Sequence, residues 1–244
     1  MNTYLVTGAS RGIGLATTLI LLENGHQVIG TYNGNSEKAA KLEKSNKNLQ
    51  MVQLDLVEYS SVDKLVSNIK NRLDGIVNSA GIFEEVDFNS YKYDALELNF
   101  KVNAFSPLYL VSKLQGQLKD GSSIVNISST DSKVGSTSGM GYAASKATVE
   151  SLTRSLSLCL AQRDIRVNAI APGWIGDGMQ APREVLEIAK SYNPLNKLGD
   201  YGDIANIIEF LLSEKSAYIN GTVISADGGD ESKSYVLDQE SRIA

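Results

Sequence analysis

Two residues of this chain, Tyr142 and Lys146, have the types and spacing of an acid–base pair. They stand four positions apart in the run Tyr-Ala-Ala-Ser-Lys, so a helix would place both side chains on one face. A phenol with an ordinary pKa of about 10 is a poor proton donor or acceptor at neutral pH, and a nearby ammonium group lowers that pKa because it favours the phenolate. The pair therefore indicates a general acid or base.

Two further polar residues fit the same chemistry. Ser129 precedes Tyr142 at the end of a predicted strand, which is where open α/β sheets bind ligands. Its hydroxyl can hold a substrate carbonyl beside the phenol, whereas Ser128 would point the other way along an extended strand. Asn103 interrupts an apolar helical stretch, and a buried amide needs hydrogen-bond partners.

A glycine-rich segment at 7–14, with the sequence TGASRGIG, follows the first predicted strand and leads into a helix. Its glycines let the backbone approach a pyrophosphate, which free N–H groups and the positive end of the helix dipole stabilise. The spacing G-x-x-x-G-x-G differs from the usual dinucleotide fingerprint, but the strand–loop–helix context predicts a dinucleotide site.

The end of the second predicted strand, at Asn33, bears on the choice of cofactor. No acidic residue lies between Glu23 and Glu37, so a carboxylate that would bind the ribose 2′-hydroxyl of NADH is missing there. Arg11 in the glycine-rich segment can supply a counter-charge to a 2′-phosphate. We therefore predict NADPH/NADP⁺ rather than NADH.

Two short segments extend this predicted cofactor site. Asp55 follows the third predicted strand and either accepts from the adenine amino group or caps the next turn. The run NSAG at 78–81 ends the fourth strand, where small residues would let a ribose pass close to the backbone.

Strands that alternate with helices predict an α/β fold, a Rossmann-like doubly wound parallel sheet of about seven strands with helices on both faces. We expect a single domain over 1–244. The predicted strands are 4–7, 27–32, 51–54, 75–78, 123–128, 166–171 and 222–226. The predicted helices are 12–24, 37–47, 60–72, 94–117, 142–162, 183–191 and 202–213.

Composition excludes several other classes. The net charge of −5 argues against nucleic acid or an anionic membrane surface as the main partner. With one histidine, His26, and one cysteine, Cys159, disulfide scaffolds and His/Cys zinc sites are ruled out, and any hydrolase triad would need His26. No apolar stretch is long enough for a membrane span, and we expect a cytoplasmic protein.

Taken together and in order, these motifs resemble the classical short-chain dehydrogenase/reductase family across essentially the whole chain. The resemblance implies a catalytic tetrad in which Tyr142 protonates a carbonyl oxygen, Ser129 orients it, Lys146 binds the nicotinamide ribose and Asn103 holds a water. The matching segments are TGASRGIG at 7–14, Asp55-Leu56, NSAG at 78–81, YAASK at 142–146, RVNAIAPG at 166–173, Pro194-Leu195 and Asp227-Gly228-Gly229.

The resemblance also implies the cofactor contacts. The expected cofactor-binding residues, besides Tyr142 and Lys146, are Gly8, Ser10, Arg11, Gly12, Ile13, Gly14, Asn33, Asp55, Leu56, Asn78, Ala80, Gly81, Pro172, Gly173 and Ile175. Two positions depart from the family: NSAG stands where NNAG is usual, and Asp177 stands where a threonine is common near the nicotinamide carboxamide and phosphates.

Within the family the chain is most similar to the 3-oxoacyl-[acyl-carrier-protein] reductases, which implies reduction of a 3-oxoacyl thioester. An alcohol, sugar or steroid dehydrogenase with the same chemistry is the alternative, and a catalytically silent NADP-binding sensor or scaffold is an alternative of another class. Substrate choice is expected in the loops 130–141 and 174–198, with Met140, Trp174, Met179 and Tyr192 as candidates.

Partners are less defined by the sequence. The segment 118–123 is less basic than in reductases that dock a carrier protein, whereas Arg163 stands where those reductases often have a basic residue. The sequence therefore leaves open whether an acyl carrier protein binds. The helix around 142–161 has apolar or small residues on more than one face, which favours a homotetramer or a dimer. The tail 230–244 lacks periodicity and is expected either to fray or to pack on another subunit.

Overall fold

A computed structural model of the protein describes residues 1–86, 88–90 and 92–233. Its strands form one parallel sheet in the order β3-β2-β1-β4-β5-β6-β7. They are β1 (Thr3–Val6), β2 (Gln27–Tyr32), β3 (Leu49–Gln53), β4 (Leu73–Asn78), β5 (Leu118–Ile127), β6 (Arg166–Pro172) and β7 (Val223–Ala226). This confirms the predicted doubly wound sheet.

Helices connect the strands and cover both faces of the sheet. They are α1 (Gly12–Glu23), α2 (Ser36–Ser45), α3 (Tyr59–Asn68), α4 (Tyr93–Phe100), α5 (Ser106–Leu114), α6 (Met140–Cys159), α7 (Arg183–Tyr192) and α8 (Tyr201–Leu212). A π-helix, Lys101–Phe105, joins α4 to α5, and short 3₁₀ turns cover Thr130–Lys133, Ala161–Arg163, Glu214–Ser216 and Asp230–Ser232.

Two apolar clusters form the core, one on each face of the sheet. On one face, Leu21 of α1 and Ile204 and Ile208 of α8 pack against the sheet. On the other face, Leu65 of α3 and Leu110 of α5 do so. Because the sheet is covered on both sides, the strands β1, β4 and β6 are buried along nearly their whole length.

The topology fixes where a ligand can bind. The chain order of the strands reverses between β1 and β4, and open α/β sheets bind ligands in the crevice outside the carboxyl ends of the strands at such a point. The glycine-rich segment leaves β1 there and NSAG leaves β4, so both predicted cofactor segments meet at this crevice.

Most predicted boundaries lie within two residues of the structure, the helix predicted at 142–162 ends three residues early at Cys159, and three further predictions were wrong. The strand predicted at 123–128 begins at Leu118, because Leu118 pairs with Leu73 of β4. The register of this pairing shifts between Leu73 and Gly75. The helix predicted at 60–72 ends at Asn68, where Ile69 turns extended.

The third wrong boundary concerns the helix predicted at 94–117, which is three segments: α4, the π-helix and α5. Pro107 lies in the first turn of α5, where its missing N–H is tolerated. The tail predicted at 230–244 falls outside the described residues beyond Lys233. Over the residues that the structure describes, no helix is long and apolar enough to cross a membrane, and no cluster of metal-ligating side chains occurs.

Candidate active site

The glycine-rich segment forms a tight turn against the segment that leaves β4. Gly8 has a φ of 68°, and a Cβ added there would lie 3.0 Å from the Cα of Ala80. A Cβ at Gly14 would overlap the Gly8 carbonyl, so the start of α1 packs directly on the turn. Gly12 also has a positive φ, of 54°. The glycines therefore let the turn pack directly against α1 and the segment after β4, and their free backbone conformation fits the close approach of a pyrophosphate.

The N-terminus of α1 is open toward the same turn. Arg11 is the N-cap residue and, within the described part of the chain, gives the helix no side-chain cap. The first-turn N–H groups are therefore free to bind an anion. Ser10 is half-buried in the turn, while Ile13 packs into the core beside α8.

Thr7 joins the two predicted cofactor segments, and sequence reasoning had not singled it out. Its hydroxyl oxygen accepts from the backbone N–H groups of Ser79 and Ala80, both at 3.0 Å. Thr7 therefore fixes NSAG against the glycine-rich turn. No local pattern marks this role, because the partners lie 72 and 73 residues further along the chain.

The adenosine end of the site is formed by the ends of β2 and β3. Asn33 is exposed after β2, as expected for a position open to a cofactor phosphate. The Asp55 carboxylate accepts from the N–H of Val57 at 2.8 Å, so it caps the turn that follows β3, and Leu56 beside it is buried. One of the two alternatives for Asp55 is thus observed directly.

Asn78, an expected cofactor contact, is buried at the end of β4. Its amide donates to the Asn126 side chain at 2.8 Å, which links β4 to β5 below the crevice. Asn126 in turn donates to Thr153 of α6 at 2.9 Å. This buried chain of polar side chains fixes α6 over the strands, and α6 carries the candidate acid–base pair. Gly81, three residues after Asn78, passes close to the Lys146 amine.

Ser129 and Tyr142 meet where β5 ends and α6 begins. Ser129 caps the 3₁₀ turn that follows β5, with its hydroxyl accepting from the Asp131 N–H at 3.2 Å. Both Ser129 and Tyr142 are buried, and a hydrogen bond between their side chains lowers the pKa of the phenol. Ser128 points away, to the Lys146 carbonyl and the Glu150 carboxylate, as alternation along a strand predicts.

Lys146 is 4% exposed and lies one helical turn after Tyr142. Its amine donates to the Ile127 carbonyl at 2.8 Å and sits 5.5 Å from the centre of the Tyr142 ring. Burial lowers the pKa of Lys146 to about 8, so the amine is mostly charged at neutral pH. The predicted juxtaposition of Tyr142, Lys146 and Ser129 is therefore present.

The expected direction of the Tyr142 pKa was wrong. Burial raises the pKa of Tyr142 to about 12, and the Ser129 hydrogen bond, which lowers the pKa, does not offset this rise. The Asp131 carboxylate adds to the rise. The phenol therefore holds its proton at neutral pH but is a weaker acid than an ordinary tyrosine, so its transfer to a carbonyl oxygen depends on stabilisation of the phenolate that forms.

Asn103 lies in the π-helix, and its side chain is fully engaged. The amide oxygen accepts from the Ile82 N–H at 2.9 Å, and the amide nitrogen donates to the Ile82 carbonyl and the Ser145 hydroxyl, both at 3.0 Å. The side chain thus clamps the segment after NSAG to α6. Its implied role in holding a water stays a prediction, and π-helices are frequent at functional sites.

The segment after β6 closes the far side of the crevice. Pro172 and Ile175 are buried, and a Cβ at Gly173 would lie 2.8 Å from the Asp227 Cβ. Ile175 bridges to Gly199, which ties the start of the predicted substrate loop to the residues before α8. Of the substrate candidates, Trp174, Met179 and Tyr192 are exposed and Met140 is half-buried.

Phe83 and Asp131 flank Tyr142 and were missed as site residues. The Phe83 ring is 5.3 Å from the Tyr142 ring and is partly exposed. Asp131 is half-buried, and burial raises the pKa of its carboxyl. Neither belongs to a motif, so only their positions next to NSAG and Ser129 could have drawn attention to them.

The fold and the site together fit a dinucleotide-dependent oxidoreductase, and the comparison with known proteins supports this class. A family model described as enoyl-(acyl carrier protein) reductase matches residues 8–230. The chain belongs to the short-chain dehydrogenase/reductase family.

Relatives with assigned names fall in the same class. The chain is 35% identical over 234 residues to the 3-oxoacyl-[acyl-carrier-protein] reductase of Vibrio harveyi, covering 92% of this chain and 95% of the relative. It is 34% identical over 233 residues to the acetoacetyl-CoA reductase of Shinella zoogloeoides, covering 92% and 96%.

Solved structures with a bound cofactor are similar as well. The angucycline C-6 ketoreductase LanV with bound NADP superposes with a TM-score of 0.87 at 30% identity, covering 95% of this chain and 96% of that one. A blue fluorescent protein from a metagenomic library in complex with NADPH gives a TM-score of 0.86 at 27% identity, covering 94% and 97%.

Proposed function

We propose that this enzyme reduces the ketone of a 3-oxoacyl thioester to a secondary alcohol with NADPH. The observation that carries the proposal is the buried, protonated Tyr142 phenol hydrogen-bonded to Ser129 at the ligand-binding edge of the sheet. The named relatives that act on 3-oxoacyl and acetoacetyl thioesters support the substrate class.

In this proposal the four residues of the site have distinct roles. The bound nicotinamide supplies the hydride. Ser129 donates a hydrogen bond to the substrate carbonyl oxygen, and Tyr142 transfers its phenolic proton to the same oxygen. The Lys146 ammonium, fixed by the Ile127 carbonyl, holds the nicotinamide ribose and stabilises the phenolate left behind. Asn103 positions Lys146 and Tyr142 by clamping α6 through Ser145.

The cofactor contacts follow from the same crevice. The turn Gly8 to Gly14 takes the pyrophosphate, Arg11 the 2′-phosphate, and Asn33 and Leu56 border the adenosine. Ala80 and Gly81 lie against the ribose, and Pro172, Gly173 and Ile175 border the nicotinamide. These assignments rest on the open first turn of α1 and on the glycines whose Cβ atoms have no space.

Asp131 and Phe83 favour a second candidate, a polar alcohol, sugar or steroid in place of an alkyl chain. A half-buried carboxylate beside Tyr142 would accept from a substrate hydroxyl and would be poorly solvated against a hydrocarbon. The partly exposed Phe83 ring offers an apolar face for a planar or cyclic substrate.

Turnover with NADPH separates these candidates. We expect acetoacetyl-CoA to be reduced faster than cyclic and hydroxylated ketones, and faster than crotonyl-CoA, which offers a C=C bond to reduce. Faster turnover of the hydroxylated ketones would favour the second candidate. Tight NADPH binding with no turnover across the panel would contradict both and favour the sensor or scaffold alternative.

We also propose that the protein is cytoplasmic and assembles into a homotetramer or dimer. An acyl carrier protein is a candidate partner. Assembly is supported by the exposed side of α6, where Leu158 is 78% exposed. Docking of a carrier protein by Arg163 would compete with its present contacts, because its guanidinium already bonds Asp120 and two backbone carbonyls.

A further inference from the structure

Asp177, the acidic departure from the family pattern, is held in place by Tyr201 at the N-terminus of α8. The Tyr201 hydroxyl donates to the Asp177 carboxylate at 2.7 Å and accepts from the Asp177 N–H at 3.1 Å. The Tyr201 ring packs so closely on Gly176 that a Cβ there would overlap it. The carboxylate therefore has a defined position although it is exposed.

This pair lies beside the glycine-rich turn. The edge of the Tyr201 ring is 3.5 Å from where a Cβ of Gly12 would be, so Tyr201 spans from the turn to Asp177. Arg11, the neighbour of Gly12, interacts electrostatically with both Asp177 and Tyr201. The Tyr201 hydrogen bond, followed by backbone N–H groups and the Arg11 charge, holds the pKa of Asp177 below its usual value, which keeps the carboxylate ionised.

We infer that Asp177 sets the cofactor preference by opposing Arg11, so that its carboxylate reduces the selectivity of this site for NADPH over NADH. The carboxylate offsets the positive potential that Arg11 presents to a 2′-phosphate. The inference rests on the proposed role of Arg11 and goes beyond it, because it gives a function to the position that departs from the family.

The expected effect is modest. In the described residues no ion pair within 4.0 Å joins Arg11 to Asp177, and both groups are exposed. Solvent screens such pairs, so we expect a change of about three- to fivefold in a dissociation constant, larger at low ionic strength.

The test measures NADPH and NADH dissociation constants by calorimetry, with no substrate present. We expect Asp177→Asn to tighten NADPH about three- to fivefold with less change for NADH, and the gain to shrink in high salt. In the Arg11→Ala background the same substitution should change NADPH binding less than twofold. Glu214→Gln, at an exposed carboxylate after α8, is the matched control for net charge and should leave both constants unchanged.

The outcomes separate the inference from its premise. If Arg11→Ala weakens NADPH and NADH equally, Arg11 does not bind the 2′-phosphate and both ideas fail. If Arg11→Ala weakens NADPH selectively but Asp177→Asn leaves its binding unchanged, weakens it, or acts equally with and without Arg11, only the role of Asp177 is overturned. Thermal unfolding of each variant checks that the exposed substitutions leave the fold intact.

Discussion

The pKa values of Tyr142 and Lys146 shift in opposite directions in the same buried environment. Burial disfavours the charged form of each, so the phenol keeps its proton up to a pKa of about 12 while the ammonium loses its proton at about 8. At neutral pH both groups are therefore protonated. This is the state required for a donor that reduces a carbonyl and for a cation that stabilises the phenolate formed.

Replacing Tyr142 by Phe removes the transferred proton and little else. We expect kcat for ketone reduction to fall by about 10²–10⁴-fold, the usual contribution of a general acid, with NADPH affinity changed less than threefold. Steady-state kinetics and calorimetry measure the two quantities. Near-normal turnover of the variant would remove Tyr142 from the mechanism.

The reductive rate should also depend on pH through Lys146. Because its pKa is lowered to about 8, the amine is charged below that pH and neutral above it. We expect kcat/KM for NADPH, which reports the free enzyme, to be level below this pKa and to fall above it by about tenfold per pH unit. The profile of Lys146→Met should be low and lack this limb, and a wild-type profile that stays level up to pH 10 would contradict the assignment.

The π-helix between α4 and α5 is the element that places Asn103. The apolar periodicity of the sequence predicts one continuous helix over 94–117. A π-helical turn adds one residue to the turn but needs no particular residue type, so the periodicity does not reveal it. The result at Asn103 is an amide that bonds two other elements rather than its own helix. A local widening of this kind is decided by tertiary contacts, which a single sequence does not display.

Loss of the Asn103 amide should destabilise the fold. Asn103→Ala leaves the backbone N–H and carbonyl of Ile82 without these partners, and we expect the free energy of unfolding to fall by about 2–4 kcal/mol. Ser145→Ala removes only one of the three hydrogen bonds of the amide and should cost about 1 kcal/mol. Urea unfolding measures both, and equal losses would show that the clamp on Ile82 contributes little.

Other elements show what a sequence can and cannot predict. The start of α1 and the strand β2 were predicted as observed, since glycine spacing and an apolar run are local signals. The polar start of β5 was missed because Lys119 in it is satisfied by an ion pair with Asp74 across the sheet, at 2.8 Å. Tyr201 and Thr7 were missed for a similar reason, because their partners are distant in the chain.

The outer side of α6 bears on the proposed assembly. Its exposed positions Ala144, Ser151, Ser155 and Leu158 recur at helical spacing, and the exposed Arg154 stands beside them, so this face has small side chains, one large apolar residue and one charge. Such a face lets a second helix approach closely. The sequence predicted apolar or small residues on more than one face of this helix, and of these Ala144 and Leu158 are exposed.

Substitution of Leu158 by Glu should therefore disrupt assembly. We expect light scattering coupled to size exclusion to show the wild-type chain as a tetramer or dimer and Leu158→Glu as a smaller species, because a charge would be buried at the interface. Tyr218→Glu, at a fully exposed position after α8, should keep the wild-type mass. A monomeric wild-type chain would contradict the proposed assembly.

The Thr7 hydroxyl links the two sides of the nucleotide crevice, the glycine-rich turn and the NSAG segment. Because the same oxygen bonds the N–H groups of Ser79 and Ala80, the two sides cannot loosen independently. Occupancy of either half of the crevice should then slow amide hydrogen exchange in both. Thr7→Val, which keeps the shape but loses the acceptor, should uncouple them, so that AMP alone protects only the turn it touches.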